Sequence, residues 1–144
     1  MTQMTLKDVA EKMRDIDVCM MSTHGAGGEI AGRPMSNNRE VEFDGDSYYF
    51  TWADALMVKD IERDKRVALA FQSKGGLFGK DLFMATVEGD AEIIRDKAQF
   101  QAHWTSDLDN WFKDGIDTPN VAMIKVHATR VHYWHGQDDG EIVL

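Results

Sequence analysis

Short runs of β-forming residues, each closed by glycine, aspartate or proline, constrain this chain more than any other feature. Val18-Cys19-Met20-Met21, Tyr48-Tyr49-Phe50 and Val67-Ala68-Leu69-Ala70-Phe71 are strand-length apolar or aromatic runs. Further strands are expected over residues 29–36, 121–126 and 129–134, and one long strand or two over residues 82–95. Gly89-Asp90 marks a bulge or bend near the middle of that last stretch. Asp44-Gly45-Asp46 is a hairpin signal, and His24-Gly25-Ala26-Gly27-Gly28 is too glycine-rich for regular structure. Strands joined by turns, with few helices, predict a mainly β domain built as a closed or partly closed barrel with flanking helices. At 144 residues the chain fits a single domain over residues 1–144, large enough to bury a sizeable core.

Three helices are expected. Residues 5–14 place Leu6, Val9, Ala10 and Met13 on one face, with Thr5 as cap and Asp8 completing a capping-box-like pair. Residues 54–63 form a short second helix, and residues 96–111 a third whose Phe100, Trp104 and Trp111 pack against the barrel. The continuous apolar run around Cys19 predicts a strand buried on both faces, with Cys19 a small core residue. The polar, acidic tail over residues 136–144 is expected to be loosely held.

The formal net charge of −9 repels a phosphate backbone and argues against nucleic acid as a partner. No apolar run approaches the roughly 20 residues of a membrane helix. The N-terminus carries no signal-peptide pattern, and the single cysteine allows no intrachain disulfide, so the expected compartment is the cytoplasm. His132 and His135 fall on opposite faces of a strand, and no metal site is assigned. No nucleophile motif is present, and no catalytic residue is assigned.

Gly32-Arg33-Pro34-Met35 and Tyr49-Phe50-Thr51 hold the chemistry. Proline cannot donate to a sheet ladder, so Pro34 marks an edge, a bulge or a strand end. Beside it, Arg33 is either an exposed strand cation or a planar donor fork of the kind phosphates use. Thr51 either bonds a phosphate or caps the segment after it. Arg33, Ser36 and Thr51, with the helix start just beyond Thr51, fit a flat anionic ligand, flavin mononucleotide (FMN) being the best candidate.

The ordered set Gly32-Arg33-Pro34-Met35, Tyr49-Phe50-Thr51, residues 58–67 (VKDIERDKRV), residues 85–95 (ATVEGDAEIIR), Trp111-Phe112 through Pro119, and Tyr133-Trp134 resembles the general stress protein branch of the pyridoxamine 5′-phosphate oxidase-like family. The resemblance runs from about Leu6 to Trp134. It implies a six-stranded antiparallel split barrel, a homodimer, and FMN sites at the dimer interface. By position it places Arg33 on the phosphate, with Pro34, Met35 and Ser36 lining the site and Phe50 and Thr51 near the flavin. Met57, Val58 and Lys59 fall at the phosphate-side helix. Gln72, Ser73 and Trp111 would approach from the partner subunit. The family commonly has a serine and a lysine where this chain has Ala55 and Met57, and Lys59 points to a different side of the helix. Losing one charge-assisted contact of about 1.5–3 kcal/mol weakens phosphate binding roughly ten- to a hundredfold.

The resemblance implies a general stress-type flavoprotein with redox action on a small molecule. The alternatives are a non-catalytic module that sequesters a flavin, haem or other planar ligand, and a ligand-free structural dimer. Pyridoxamine phosphate oxidase activity itself is not expected, because no Lys or Arg comes after Arg130 to hold a second phosphate.

Overall fold

The computed structural model describes residues 3–37, 43–75 and 81–144. Helix α1 (Leu6–Met13) starts as expected. Thr5 Oγ1 accepts from the Asp8 amide at 3.2 Å, and Asp8 Oδ2 accepts from the Thr5 amide at 2.9 Å. These bonds satisfy donors the first helical turn would leave open, and they hold the Asp8 carboxyl below the usual carboxylate range. Val9 and Met13 are carried into the core, each worth about 1.5–3 kcal/mol on burial.

The strands are β1 (Val18–His24), β2 (Ile30–Ser36), β3 (Asp46–Trp52), β4 (Arg66–Gln72), β5 (Phe83–Ile94), β6 (Val121–His135) and β7 (Asp138–Val143), with α2 (Leu56–Arg63) between β3 and β4. All pairings are antiparallel, in the order β2-β1-β4-β5-β6-β3, with β7 added on β6. Among the described residues β2 and β3 share no ladder, so the sheet stays open between them, as a split barrel requires. The six-stranded path matches the expected barrel, and β7 is a seventh strand beyond it. Pro34 sits in the outermost strand, β2, where a missing donor is tolerated.

Residues 121–126 and 129–134, read as two strands, form one strand of 15 residues. Its first half pairs with β3 and its second half with β7, while β5 runs along its other edge. The join is a bulge: Glu88 faces Arg130, the next residue Gly89 faces Ala128, and Thr129 is left over. The Thr129 hydroxyl bonds the Glu88 carbonyl at 3.1 Å. A Cβ on Gly89 would lie 2.4 Å from the His127 carbonyl oxygen, so the close crossing requires glycine.

Two further expectations are corrected. The tail is not loose. Gly136, at φ +61°, reverses the chain, and Glu141 pairs with Arg130 at 2.8 Å. Ile142 packs against the core. Residues 96–111 do not make one helix. Asp96 caps α3 (Lys97–Phe100), then Thr105 is extended (φ −118°, ψ 159°) before a 3-10 turn over Ser106–Asn110. His103, Trp104 and Thr105 are weak helix formers, and the break lets the Trp104 indole donate to Asp109 at 2.9 Å. Phe100, Leu108 and Phe112 close around Phe50 and Met123 in a second apolar cluster. Residues 38–42, ahead of the Asp44-Gly45-Asp46 hairpin signal, and residues 76–80, within a glycine-containing stretch over 73–80 that reads as a loop, lie outside the described residues.

The β1 run is not buried on both faces. Cys19 and Met21 face the core, but Val18 and Met20 are 49% and 45% exposed. They lie in a groove of about 400 Å³ with Ala70, Gln72, Met84 and Trp134. Cys19 is the core residue expected of it, 1% exposed. Among the described residues no helix is long and apolar enough to cross a membrane, and no metal-ligating cluster forms.

Burial pushes the Cys19 thiol from 9.0 up to about 11, and burial raises the neighbouring Tyr49 phenol as well. The unfolded chain releases the thiol proton first. The stabilising effect of the neutral thiol is therefore complete below about pH 9 and is lost as the pH rises to about 11. In native protein at pH 8, Cys19 is expected to react with a thiol reagent orders of magnitude more slowly than in denatured protein. Rapid native labelling would contradict the burial. Thr5→Ala is expected to cost about 0.5–2 kcal/mol in a denaturant titration through the lost cap.

Candidate functional site

The open seam between β2 and β3 holds a cavity of about 290 Å³. One wall is β2, with Arg33, Pro34, Met35 and Ser36. The opposite wall is β3, with Phe50, Thr51 and Trp52. The seam forms because β2 ends one side of the sheet path and β3 the other. Met57 comes from α2, Val18 from β1, and Leu108, Trp111 and Phe112 from the turn after α3. Alternation along β2 buries Met35 and leaves Pro34 exposed on the other face, so the cavity straddles the strand edge.

Its walls are largely apolar. Phe50, Trp52, Trp104 and Phe112 form a chain of tilted and edge-on rings with centroids 4.8–5.5 Å apart, favourable geometries for aromatic pairs. Trp52 and Trp111 remain 45% and 68% exposed at the rim. The polar lining is Ser36, Thr51 and Arg33, and among the described lining residues Arg33 is the only charged one. Its Nη1 donates to Thr23 Oγ1 at 2.7 Å and to the Met21 carbonyl at 3.4 Å.

Helix α2 begins beside the cavity. Its N-cap is Ala55, in extended conformation and without a side-chain bond, and its first turn carries no acidic residue. The Val58 amide turns back to the Ala55 carbonyl at 3.0 Å, while the Leu56 and Met57 amides and the positive end of the helix dipole are left uncapped by a side chain.

The residues expected at the site divide into two groups. Arg33, Pro34, Met35, Ser36, Phe50, Thr51, Met57 and Trp111 line this cavity within one chain. Val58 is buried behind it in the core, and Lys59 points to solvent. Gln72 lines the groove on the outer sheet face. Ser73 closes the β4–β5 hairpin: its amide bonds the Phe83 carbonyl, and its hydroxyl accepts from the Phe83 amide, both at 2.9 Å. Val18 lines both cavity and groove, so the two lie side by side.

Val18, Trp52, Leu108 and Phe112 are site residues that the sequence does not single out. Val18 sits in a run that reads as core on both faces. Phe112 carries a signal in the Trp111-Phe112 motif and in the aromatic excess after residue 100, which reads equally well as packing.

The cavity suits a flat ligand with an anionic end. Apolar and aromatic walls can sandwich a ring system, and unpaired strand edges offer backbone donors and acceptors. Arg33 and the α2 amides offer positive charge. At about 290 Å³ the cavity stands at the small end of ligand sites, which run from ~300 to 1,000 Å³. A flavin would be enclosed in part by these walls and in part by whatever covers the rim.

Comparison with known proteins agrees with this architecture. The family model described as "Pyridoxamine 5′-phosphate oxidase like" matches residues 4–144. Among solved structures, a Clostridium acetobutylicum protein related to general stress protein 26 superposes with a TM-score of 0.79 at 18% identity, covering 98% of this chain and 97% of that one. General Stress Protein 26 from Bacillus anthracis str. Sterne gives 0.75 at 22% identity, over 98% and 100%. A heme binding protein from Mycobacterium smegmatis gives 0.78 at 15% identity, covering 99% of this chain and 60% of that one. No curated protein matches the sequence. With a family match over nearly the whole chain and a split sheet of the expected order, this chain belongs to the pyridoxamine 5′-phosphate oxidase-like family.

Proposed function

We propose that the chain binds FMN in the β2–β3 cavity and acts as a general stress-type flavoprotein of the cytoplasm. The observation that carries this reading is an aromatic-walled cavity at an open sheet seam whose one charged lining side chain, among the described residues, is Arg33. Phe50, Trp52, Met35 and Met57 form the apolar enclosure for the ring system. Ser36, Thr51, Arg33 and the α2 amides address the phosphate side. Bound flavin supplies the hydride or electron transfer, acting on a small molecule. The protein's part is to orient the ring, exclude water from one face and hold the phosphate. Among the described lining residues none is a carboxylate, histidine or lysine, so the walls provide no general acid or base of their own.

A homodimer belongs to the same reading. Val18, Met20, Met84 and Trp134 give the outer sheet face an apolar groove, and Val18 also lines the cavity. A second subunit on this face would bury the groove and bring Gln72 of one chain toward the cavity of the other. Charged residues are depleted at the centre of such interfaces and aromatic residues and Met enriched, which fits this surface.

A second reading comes from the neighbour described as heme binding: the cavity sequesters haem without catalysis. Met35 and Met57 are the lining side chains that would ligate a haem iron.

Purified protein is expected to show flavin absorbance near about 450 nm, or to acquire it on adding FMN. A Soret band after adding haem, with no FMN uptake, would favour the second reading, and uptake of neither would remove both. Reduction by NADH or NADPH and turnover on an acceptor would separate enzyme from binder. Arg33→Ala is expected to weaken FMN roughly ten- to a hundredfold, and Met57→Lys to tighten it by a similar factor. An unchanged Kd for Met57→Lys would place the phosphate away from α2. The protein is expected to sediment at twice its 16.3 kDa mass, with Met20→Glu shifting it to monomer. A wild-type monomer at micromolar concentration would refute the dimer.

A further inference from the structure

Behind the cavity lies a polar chain that the family resemblance does not account for. Arg33 faces Met21 across the β1–β2 ladder, and Thr23 is two residues on, opposite Ala31. Met21, Thr23 and Arg33 therefore share one face of the sheet. Arg33 Nη1 donates to Thr23 Oγ1 at 2.7 Å. A hydroxyl that accepts from arginine keeps its own hydrogen to give away, and the acceptor in reach is Asp60 Oδ2, at 3.5 Å. The other carboxylate oxygen of Asp60 takes two bonds from Arg63, at 3.1 and 3.3 Å.

Thr23 and Asp60 are each 1% exposed. A fully buried aspartate in the middle of a short helix is uncommon. As a stabilising device it is a poor one, because the desolvation of a buried carboxylate offsets much of what pairing returns. Its position explains more. Asp60 is neutralised by Arg63 rather than by Arg33, since among the described residues no carboxylate lies within ion-pair distance of Arg33. It fixes the direction of the Thr23 hydroxyl, whose lone pair then anchors one end of the guanidinium. Both printed bonds of Arg33 use Nη1, and Nε and Nη2 remain as donors for a ligand. Arginine is otherwise a long side chain with many rotamers, and a ligand that had to order it would bind more weakly.

We propose that Thr23 and Asp60 are positioning residues: through the Asp60–Thr23–Arg33 chain they hold the guanidinium ready for the anionic end of the ligand, in the place where Ala55 and Met57 offer no help. The inference rests on the flavin reading above and deepens it. It assigns recognition of the phosphate to one preorganised arginine rather than to a cluster of cations.

The test compares FMN with riboflavin, which carries the same ring and no phosphate, by fluorescence titration of the full chain. In the wild type FMN is expected to bind roughly ten- to a hundredfold more tightly than riboflavin, and Arg33→Ala to abolish that preference. Thr23→Val and Asp60→Asn are expected to cut the preference about three- to tenfold while leaving riboflavin affinity unchanged, and Thr23→Ser to restore it. Thermal unfolding of each variant reports folding separately; should Asp60→Asn unfold, the Thr23 pair carries the test. An FMN-to-riboflavin ratio that stays at the wild-type value in Thr23→Val, while Arg33→Ala lowers it, would overturn the proposal and leave the flavin site standing. A parallel loss of both affinities would also overturn it, because the residues would then act on the fold as a whole. Wild-type protein that binds neither flavin would remove the flavin reading and this inference together.

Discussion

Strand β6 has one edge to offer and two strands that use it. β3 takes its first half and β7 its second, while β5 occupies the other edge over twelve paired positions of its own. A straight strand of that length would carry β3 and β7 on one plane. The bulge at Glu88 and Gly89 bends it, and Gly89 is what lets the backbones pass, with the His127 carbonyl where any Cβ would stand. Because β3 is pinned to the bent half of β6, it comes round toward β2 without joining it. The seam and its cavity are the consequence of that geometry.

The site then forms from edges rather than from a motif. β2 contributes residues from both of its faces, since an edge strand at an open seam is accessible on each side. β3 contributes the end of an aromatic strand, and the broken helical segment supplies Leu108, Trp111 and Phe112. The aromatic cluster beneath ties these pieces together: Phe50 touches both Phe100 and Trp104, and Trp104 touches Phe112. In an acidic protein of net charge −9, a single arginine at such a seam has more influence on an anion than it would on a basic surface. Its anchoring by Thr23, itself bonded to a buried carboxylate, keeps that influence directed.

Much of this is legible in the sequence, for identifiable reasons. The α1 cap is readable because Thr5 and Asp8 act within one turn, with no tertiary partner needed. Pro34 announces an edge strand, and Gly89-Asp90 a bulge, because both residues act through their own backbone. Misreadings arise where a distant partner decides. Val18 and Met20 look buried because they are apolar, yet the described chain has no element to cover them. The tail looks loose because it is acidic, yet Arg130 and the β6 edge are there to receive it. The segment after Asp96 looks helical by spacing, and its side chains are better buried around Phe50 with the helix broken.

By itself the sequence determined the mainly β architecture, the places of strands β1 to β5, the capped first helix and the cluster Arg33, Pro34, Met35, Ser36, Phe50 and Thr51 as one candidate site. The architecture and the cap depend on local backbone preference and on patterning among neighbouring residues, and the full cluster on the resemblance to a known family. Tertiary structure alone decided that β2 and β3 stay apart, that within one chain Trp111 lines the cavity while Gln72 and Ser73 lie away from it, and that Thr23 and Asp60 stand behind Arg33. Thr23, Arg33 and Asp60 come from two strands and a helix, with partners 10 and 37 positions apart in the sequence. Only the folded chain brings them within bonding distance, because a hydrogen bond acts over about 3 Å and sequence separation carries no information about it.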